Sequence, residues 1–307
     1  MTAPRCRAPS TQVHWLGTLI AIFLAFPAFA EIRLPQDGGG ELVLEAPAER
    51  VITLAPHLAE LAWDAGAGDT LVGTVAWSDY PEPVTALPEI GDAFRFDLEQ
   101  ILALRPDLVI AWASGNPAPA LIGLEDLGLP VWRTEIRQPA EIATLIEAIG
   151  DATGRDGKAE DRAGAVRERL AKLRESNAGR RPVSYFYQVA ERPLYTVSGD
   201  HLVSHGLALC GGQNIFADLG ELAPQVAAEA VIAADPEVMF AGRFEGSGEP
   251  LAHWREWPRL RAVKRDALFT LPAEKINRAT PRMLDAVEEA CKLLDDFRAD
   301  SPQDSWG

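Results

Sequence analysis

The chain of 307 residues carries 29 basic and 45 acidic side chains, a formal net charge of −16 at pH 7. Such an acidic surface repels a phosphate backbone, which argues against nucleic acid as a partner. The length is sufficient for two lobes of ordinary size, each with its own hydrophobic core.

Residues 1–30 have the features of a secretory signal peptide. Arg5 and Arg7 precede a short apolar run, and the run is followed by the small-x-small pattern of residues 28–30. This combination predicts export, with cleavage near Ala30. The apolar run is too short to indicate a membrane span, although a retained N-terminal anchor is the alternative.

The first half of the exported chain alternates short apolar runs with helical patterns. A β-hairpin is predicted within residues 31–47, with strands at 51–54, 71–75 and 108–112 and helices at 57–65 and 118–127. Strands and helices that alternate at this length are typical of a parallel sheet covered by helices. We therefore predict an N-terminal α/β lobe over residues 31–154.

A charged helix without proline is predicted to follow this lobe. Its apolar positions step by four and three and form one stripe, made by Ala159, Ala163, Val166, Leu170 and Leu173. About 20 residues at about 1.5 Å each give roughly 30 Å, the span of a small lobe. We interpret residues 155–179 as a connector helix between two lobes; the alternative is a surface helix of the first lobe.

The second half of the chain repeats the alternation of strands and helices. Strands are predicted at 183–189, 238–240 and 267–271, with a helix leading to Cys210, a helix containing Trp254 and Trp257, and a last helix at 281–297. These elements predict a C-terminal α/β lobe over residues 180–300, followed by a polar tail at 301–307.

One segment occurs twice, about 130 residues apart. Residues 98–110 and 228–240 each open with a glutamate on a short amphipathic helix, break at a proline and re-enter as a buried strand. Two copies of one α/β unit predict two Rossmann-like lobes with parallel sheets, joined by a single long helix, and a ligand cleft between them. Glu99 and Glu229 would occupy matching places, which suits a two-fold symmetric partner. Alternatively, both are ordinary acids in a first helical turn.

Two cysteines remain after removal of the signal peptide, Cys210 and Cys291. An even pair in an exported protein favours a disulfide bond. The bond would close a loop of about 80 residues and stabilise the protein by roughly 2–4 kcal/mol. Two unpaired buried thiols are the alternative.

Several motifs, taken in order, resemble the periplasmic cobalamin-binding proteins of ABC importers. They are residues 50–56, 77–81, 98–112, 210–216 and the Arg-Ala-Thr-Pro-Arg run at 278–282. The resemblance implies a monomeric, helix-bridged, two-lobed binding protein with little hinge motion, located in the periplasm. It implies capture of cobalamin or a related corrinoid, which is a transported ligand and not a cofactor, and delivery to an ABC importer permease dimer at the inner membrane.

The resemblance also implies roles for individual residues. In that family, aromatic rings line the cleft and pack on the flat corrin. The matching positions are Trp77 and Trp112, with Phe94 and Tyr195 close to two others, and Arg278 is implied to reach ligand amides or phosphate. Glu99 and Glu229 match the two glutamates that dock onto permease arginines. Ala223 stands where close relatives have tryptophan, so one aromatic wall is missing.

Parts of the sequence are also compatible with other functions. An iron–siderophore or haem-binding protein of the same fold is the first alternative, although a siderophore would favour more basic cleft residues than Arg95, Arg243 and Arg278. His201 and His205, four residues apart, would be the start of a zinc site in a secreted metalloenzyme. No P-loop, complete dinucleotide fingerprint or nucleophile elbow occurs in the sequence, so we expect no enzymatic activity and no bound metal. His57 is expected near the cleft mouth.

Overall fold

Two four-stranded parallel sheets, one in each half of the chain, form the centres of two α/β lobes. The computed structural model describes residues 31–300, and the predicted signal peptide and polar tail lie outside the described residues. Within residues 31–300, no helix combines the length and the hydropathy needed to cross a bilayer. The predicted fold class is confirmed.

The N-terminal lobe begins with the predicted antiparallel hairpin and continues into the first sheet, whose strand order is β4-β3-β5-β6. Its strands are β1 (Ile32–Pro35), β2 (Glu41–Leu44), β3 (Val51–Thr53), β4 (Leu71–Gly73), β5 (Leu108–Trp112) and β6 (Val131–Thr134). Its helices are α1 (Pro56–Asp64), α2 (Leu98–Leu104), α3 (Ala118–Asp126) and α4 (Pro139–Thr153). The strands of the sheet are largely buried because helices cover both faces, as is usual for parallel sheets.

Helix α5 (Asp156–Asn177) joins the two lobes. All five apolar positions of the predicted stripe are buried. The helix packs along α4, and Arg167 pairs there with Glu147. Two residues further along, Arg169 pairs with Asp285 at 2.8 Å and Glu288 at 2.9 Å, both on the last helix of the chain. Helix α5 therefore contacts both lobes, and one continuous hydrophobic cluster runs through it.

The C-terminal lobe is built on the same plan as the N-terminal lobe. Its strands are β7 (Val183–Gln188), β8 (Gly212–Asn214), β9 (Val238–Arg243) and β10 (Leu268–Pro272), in the order β8-β7-β9-β10. Its helices are α6 (Leu202–Ala208), α7 (Ala228–Ala234), α8 (Arg261–Lys264), α9 (Ala273–Ile276) and α10 (Met283–Ala299). In both sheets the first strand lies between the second and the third, so both have the same topological switch point.

The duplicated segment occupies equivalent places in the two lobes, as α2-β5 and α7-β9. In the first copy, the carboxylate of Asp107 accepts the backbone N–H of Arg50 at 2.8 Å, just before β3. In the second copy, the carboxylate of Glu237 accepts the backbone N–H of Ser184 at 3.0 Å, in β7. Each acid therefore fixes its repeat unit to the first strand of its own sheet.

Two local features of the C-terminal lobe complete the comparison with the sequence. Cys210 and Cys291 form the predicted disulfide, which ties the second residue after α6 to α10. The predicted helix containing Trp254 and Trp257 is a short 3₁₀ helix that ends before Trp257. Pro258 follows and disfavours helical geometry at the preceding residue, so the turn cannot continue as an α-helix.

Candidate functional site

A cavity of about 330 Å³ lies between the lobes, where strands of the N-terminal sheet end. The N-terminal lobe lines it with Pro56, His57, Trp112, Ser114, Glu135, Ile136 and Arg137. The C-terminal lobe lines it with Asp200, His201, Leu202, Leu222, Asn277, Arg278 and Ala279. Residues 56–57 come shortly after β3, and Trp112 and Ser114 lie at and just after the end of β5. These two strands flank the switch point. Ligands of open α/β sheets bind at this position.

Trp112, a predicted ligand contact, lines the cavity in a fixed orientation. Its indole Nε1–H donates to Glu135 Oε1 at 3.0 Å. The other oxygen of Glu135 accepts the backbone N–H of Ser114 at 3.0 Å. The edge-to-face contact with His57, with ring centroids 5.3 Å apart, holds the ring from another side. Glu135 is therefore a positioning residue, and it was not predicted from the sequence.

Asn116 is a second positioning residue that was not predicted. Its buried side-chain amide donates to the carbonyls of Leu54 and Ala93, both at 2.9 Å. Its Oδ1 accepts the backbone N–H of Trp112 at 2.7 Å. These bonds join the ends of β3 and β5 to the loop that carries Phe94. Phe94 itself is 68 % exposed.

Trp77, another predicted contact, is the most exposed large apolar side chain described, at 79 %. Its backbone lies in the left-handed region, with φ at 68°. Arg278 of the C-terminal lobe donates to the Trp77 carbonyl at 3.1 Å and pairs with Asp79. Partial burial would raise the pKa of Asp79, but the Arg278 guanidinium outweighs it and holds that pKa below its usual value. The predicted ligand residue Arg278 thus also holds the Trp77 loop.

The second arginine of the run at 278–282 also crosses between the lobes. Arg282 forms a bidentate pair with Glu60 of α1, at 2.8 Å and 3.1 Å. Glu60 is completely buried, so this pair is shielded from solvent. The guanidinium of Arg282 also lies 3.9 Å from the centre of the Tyr80 ring. Both arginines therefore fasten the C-terminal lobe to the N-terminal lobe beside the cavity.

His57 faces the cavity as an uncharged imidazole. Burial lowers its pKa to about 4, and the nearby Arg278 guanidinium adds to this effect. Within residues 31–300 its ring nitrogens have no hydrogen-bond partner. By contrast, Nδ1 of His201 accepts the backbone N–H of Val203 at 3.1 Å and caps α6. His57 thus presents an unused lone pair to the cleft.

Of the predicted ligand contacts, Trp112 and Arg278 line the cavity, whereas Trp77, Phe94 and Tyr195 do not. Tyr195 lines a separate shallow depression, together with Leu219, Gly220, Glu221, Pro224 and Gln225. The segment 222–224 runs between this depression and the cavity, with Leu222 lining the cavity. Ala223 is exposed and leaves this wall without a ring. At the ends of β7 and β9, Val189 and Phe244 are 52 % and 61 % exposed, and neither was predicted.

The two predicted docking acids occupy equivalent places. Glu99 is the second residue of α2, and Glu229 is the second residue of α7. Both are exposed. Neither forms an ion pair with any other residue in the range 31–300, so both carboxylates are available to a partner.

The described residues do not support the alternative of a zinc site at His201 and His205. In the part of the chain that the structure describes, no three His, Cys, Asp or Glu side chains are close enough to hold a metal ion. His201 uses one nitrogen for its helix cap, and burial, followed by the effect of His205, lowers its pKa.

Comparisons with known proteins all indicate the same family. A family model described as "Periplasmic binding protein" matches residues 51–275. The vitamin B12-binding protein of Vibrio cholerae is 40 % identical over 249 residues, 81 % of this chain and 90 % of that protein. The vitamin B12-binding protein of Yersinia pestis is 36 % identical, over 80 % of this chain and 86 % of its own length.

Solved structures show the same likeness. The periplasmic vitamin B12 binding protein BtuF of Vibrio cholerae superposes with a TM-score of 0.76 at 40 % identity, covering 82 % of this chain and 98 % of that one. The periplasmic heme-binding protein RhuT from Roseiflexus gives a TM-score of 0.71 at 23 % identity, over 81 % of this chain and 99 % of that one. The second likeness is one of fold alone.

Proposed function

Because the chain belongs to the periplasmic binding protein family, we propose that it captures cobalamin or a related corrinoid between its lobes and delivers it to an ABC importer. The family and the similar proteins are solute-binding proteins and not enzymes, which agrees with the expectation from the sequence. The single observation that carries the choice of ligand is the exposure of two aromatic rings, Trp77 and Phe94, on loops bonded to the cavity residue Arg278 and to Asn116. A vitamin B12-binding relative is 40 % identical.

The shape of the site suits a large, flat ligand. A corrinoid is too large for a cavity of about 330 Å³, so only one part of it would enter the floor. The rest would lie against the rim, where Trp77 and Phe94 expose most of their surface. Rigid aromatic rings bury large areas with little loss of side-chain freedom, and exposed apolar patches of this kind mark binding sites.

Individual contacts follow from this placement. Trp112 would pack against the part of the ligand that enters the cavity, and Trp77 and Phe94 would pack against the macrocycle at the rim. Arg278 lines the cavity and would meet ligand amides or phosphate while keeping its bond to the Trp77 loop. Tyr195, beyond the segment 222–224, would reach only the outer edge of the ligand.

Delivery would use Glu99 and Glu229 as docking acids for arginines of a permease dimer. Their equivalent positions on α2 and α7 match a partner with two-fold symmetry. Exposed ion pairs contribute little stability individually, so their main effect would be on orientation and encounter rate. Export by the segment 1–30, cleavage near Ala30, a monomeric state and lobe boundaries at residues 154 and 180 belong to the same proposal.

Calorimetric titration of the purified mature protein tests the ligand. Cyanocobalamin and cobinamide are expected to saturate one site, and ferric siderophores are expected to give no heat. Trp77→Ala and Phe94→Ala should each weaken corrinoid binding about 5- to 30-fold, the equivalent of roughly 1–2 kcal/mol. Trp63→Ala is the matched control, since Trp63 is a partly exposed tryptophan outside the cleft. Saturation by a siderophore, with no heat from either corrinoid, would reverse the assignment.

Docking needs a separate experiment, with a cobalamin ABC importer reconstituted in proteoliposomes. Glu99→Lys combined with Glu229→Lys is expected to abolish association with the importer and leave corrinoid binding by the free protein unchanged. Glu45→Lys combined with Glu289→Lys makes the same change of charge at exposed acids away from α2 and α7. Equal association of both double variants would defeat the docking assignment.

A further inference from the structure

We propose that His57 supplies an axial nitrogen ligand to the cobalt of a corrinoid whose axial position is exchangeable, the class to which diaquocobinamide belongs. The inference rests on the proposed function and deepens it, because it names the form of the ligand that the cleft binds with an additional bond.

The first observation behind the proposal is the position of His57 in the cavity. His57 is the second residue of α1, the helix that follows β3, and it lines the cavity at the switch point of the N-terminal sheet. Trp112 supports the imidazole edge-to-face, with ring centroids 5.3 Å apart, and so limits its rotation. The side chain is therefore held by the floor of the cleft and is not free in solution.

The second observation behind the proposal is that the ring nitrogens of His57 are free to bind a ligand. Within residues 31–300 no donor or acceptor bonds to the ring, whereas His201 in the same cavity has already committed Nδ1 to a helix cap. Burial and then the Arg278 guanidinium keep the imidazole uncharged at neutral pH. Only a neutral imidazole offers a lone pair to a metal ion. The remaining charged groups at the cavity are Glu135, Arg137 and Asp200.

The exchange is a simple substitution at cobalt. The imidazole lone pair forms a Co–N bond, the Co–O bond to the axial water breaks, and one water molecule leaves. The cobalt keeps its oxidation state, and no proton is released because the imidazole enters uncharged. In cyanocobalamin both axial positions are filled, by cyanide and by the ligand's own base. His57 therefore has no water to displace from cyanocobalamin, and the cleft binds this ligand without a bond to its cobalt.

Visible absorption spectroscopy with two probes tests the assignment. On binding to the mature protein, diaquocobinamide is expected to change from the spectrum of the aquo form to that of an imidazole-bound form. His57→Ala should lose this change and bind diaquocobinamide about tenfold or more weakly, a loss of about 1.4 kcal/mol or more. The variant should lose less affinity for cyanocobalamin than for diaquocobinamide, since cyanocobalamin offers no exchangeable position. His205→Ala is the control and should behave as the unaltered protein.

Free imidazole adds a test that a merely structural role would not pass. Added to His57→Ala with bound diaquocobinamide, it should restore the imidazole-bound spectrum, while circular dichroism checks that the variant is folded. An unaltered protein that leaves the aquo spectrum unchanged, or a His57→Ala variant that keeps the shift, would overturn the inference alone. If hemin binds more tightly than diaquocobinamide, with a His57-dependent spectrum, the choice of cobalt is wrong. If neither corrinoid binds, the proposed function itself fails.

Discussion

The two lobes share one strand order and one duplicated segment, but the ends of their strands do different things. In the N-terminal lobe, the ends of β3 and β5 are joined by Asn116 and form the floor of the cavity. In the C-terminal lobe, the ends of β7 and β9 leave Val189 and Phe244 exposed. The C-terminal lobe lines the cavity instead from the beginning of α6 and the residues after α9.

This difference shows that two copies of one structural unit can serve two different tasks. The N-terminal lobe provides Trp112, which is held by Glu135 and Asn116, and the His57 imidazole that packs against its ring. The C-terminal lobe provides Arg278 and Arg282, which hold the other lobe in place. Equal topology therefore does not imply equal function, because the site is made by side chains at the strand ends.

The pair between Glu60 and Arg282 gives the largest expected effect on this division of tasks. Glu60→Ala leaves a guanidinium buried without its partner and should lower the free energy of unfolding by about 3–5 kcal/mol. Glu288→Ala removes a partly exposed partner of Arg169 and should cost at most about 1 kcal/mol. Urea denaturation measures both values. Equal losses in the two variants would mean that the pair does not fasten the lobes.

The disulfide, present only in the C-terminal lobe, is expected to have the next largest effect. Replacement of both Cys210 and Cys291 by alanine should lower the free energy of unfolding by about 2–4 kcal/mol, because the unfolded chain loses a crosslink. Urea denaturation of the variant, compared with that of the unaltered protein under reducing conditions, provides the measurement. The two midpoints should coincide under reduction, and persistent separation would contradict the explanation.

The dependence of stability on pH should reveal the contribution of His57 in the N-terminal lobe. Below about pH 6.5 the unfolded chain protonates His57, whereas the folded protein keeps it neutral down to a pKa of about 4. Stability should therefore fall as the pH decreases through this window, by about 1–3 kcal/mol from His57. His57→Leu should flatten this part of the curve of unfolding free energy against pH. An unchanged slope in the variant would show that other groups cause it.

The smallest expected effect is on ligand affinity. It contrasts the strand ends of the N-terminal sheet with those of the C-terminal sheet. Glu135→Ala removes the acceptor of the Trp112 indole and should weaken cyanocobalamin binding about 5-fold, close to the 1 kcal/mol of a typical hydrogen bond. Phe244→Ala alters the equivalent edge of the other sheet and should leave affinity within about twofold. Calorimetric titration measures both. A larger loss from Phe244→Ala would place the ligand on the C-terminal lobe.

Much of the fold could be predicted because it depends on local patterns. The connector stripe and the duplicated segment follow from residue spacing, and both are present in the structure. Helix α4 was not predicted. It packs against α1, α5 and β1, and Ile142, Leu145, Ile146 and Ile149 recur at helical spacing, so the stripe was present in the sequence and was missed. Its proline at the start and Gly154 at the end were further signals.

The site was predictable only in part, because its organisation depends on contacts between distant residues. Trp112 and Arg278 were named from the sequence and line the cavity. The bonds of Asn116 to Leu54 and of Arg282 to Glu60 join residues 62 and 222 positions apart. No periodicity in the sequence records such pairs. The run at 278–282 drew attention to both arginines, but not to their partners.

Helix α5 has a consequence for how the molecule melts. Since one hydrophobic cluster passes through it from lobe to lobe, neither half can lose its core without exposing apolar surface of the other. Heating should therefore produce a single heat-absorption peak, whose calorimetric and van't Hoff enthalpies agree, as in a one-domain protein. Severed within α5, the two halves would each expose half of a shared interior and would aggregate. Duplication has produced two similar shapes but only one unit of folding.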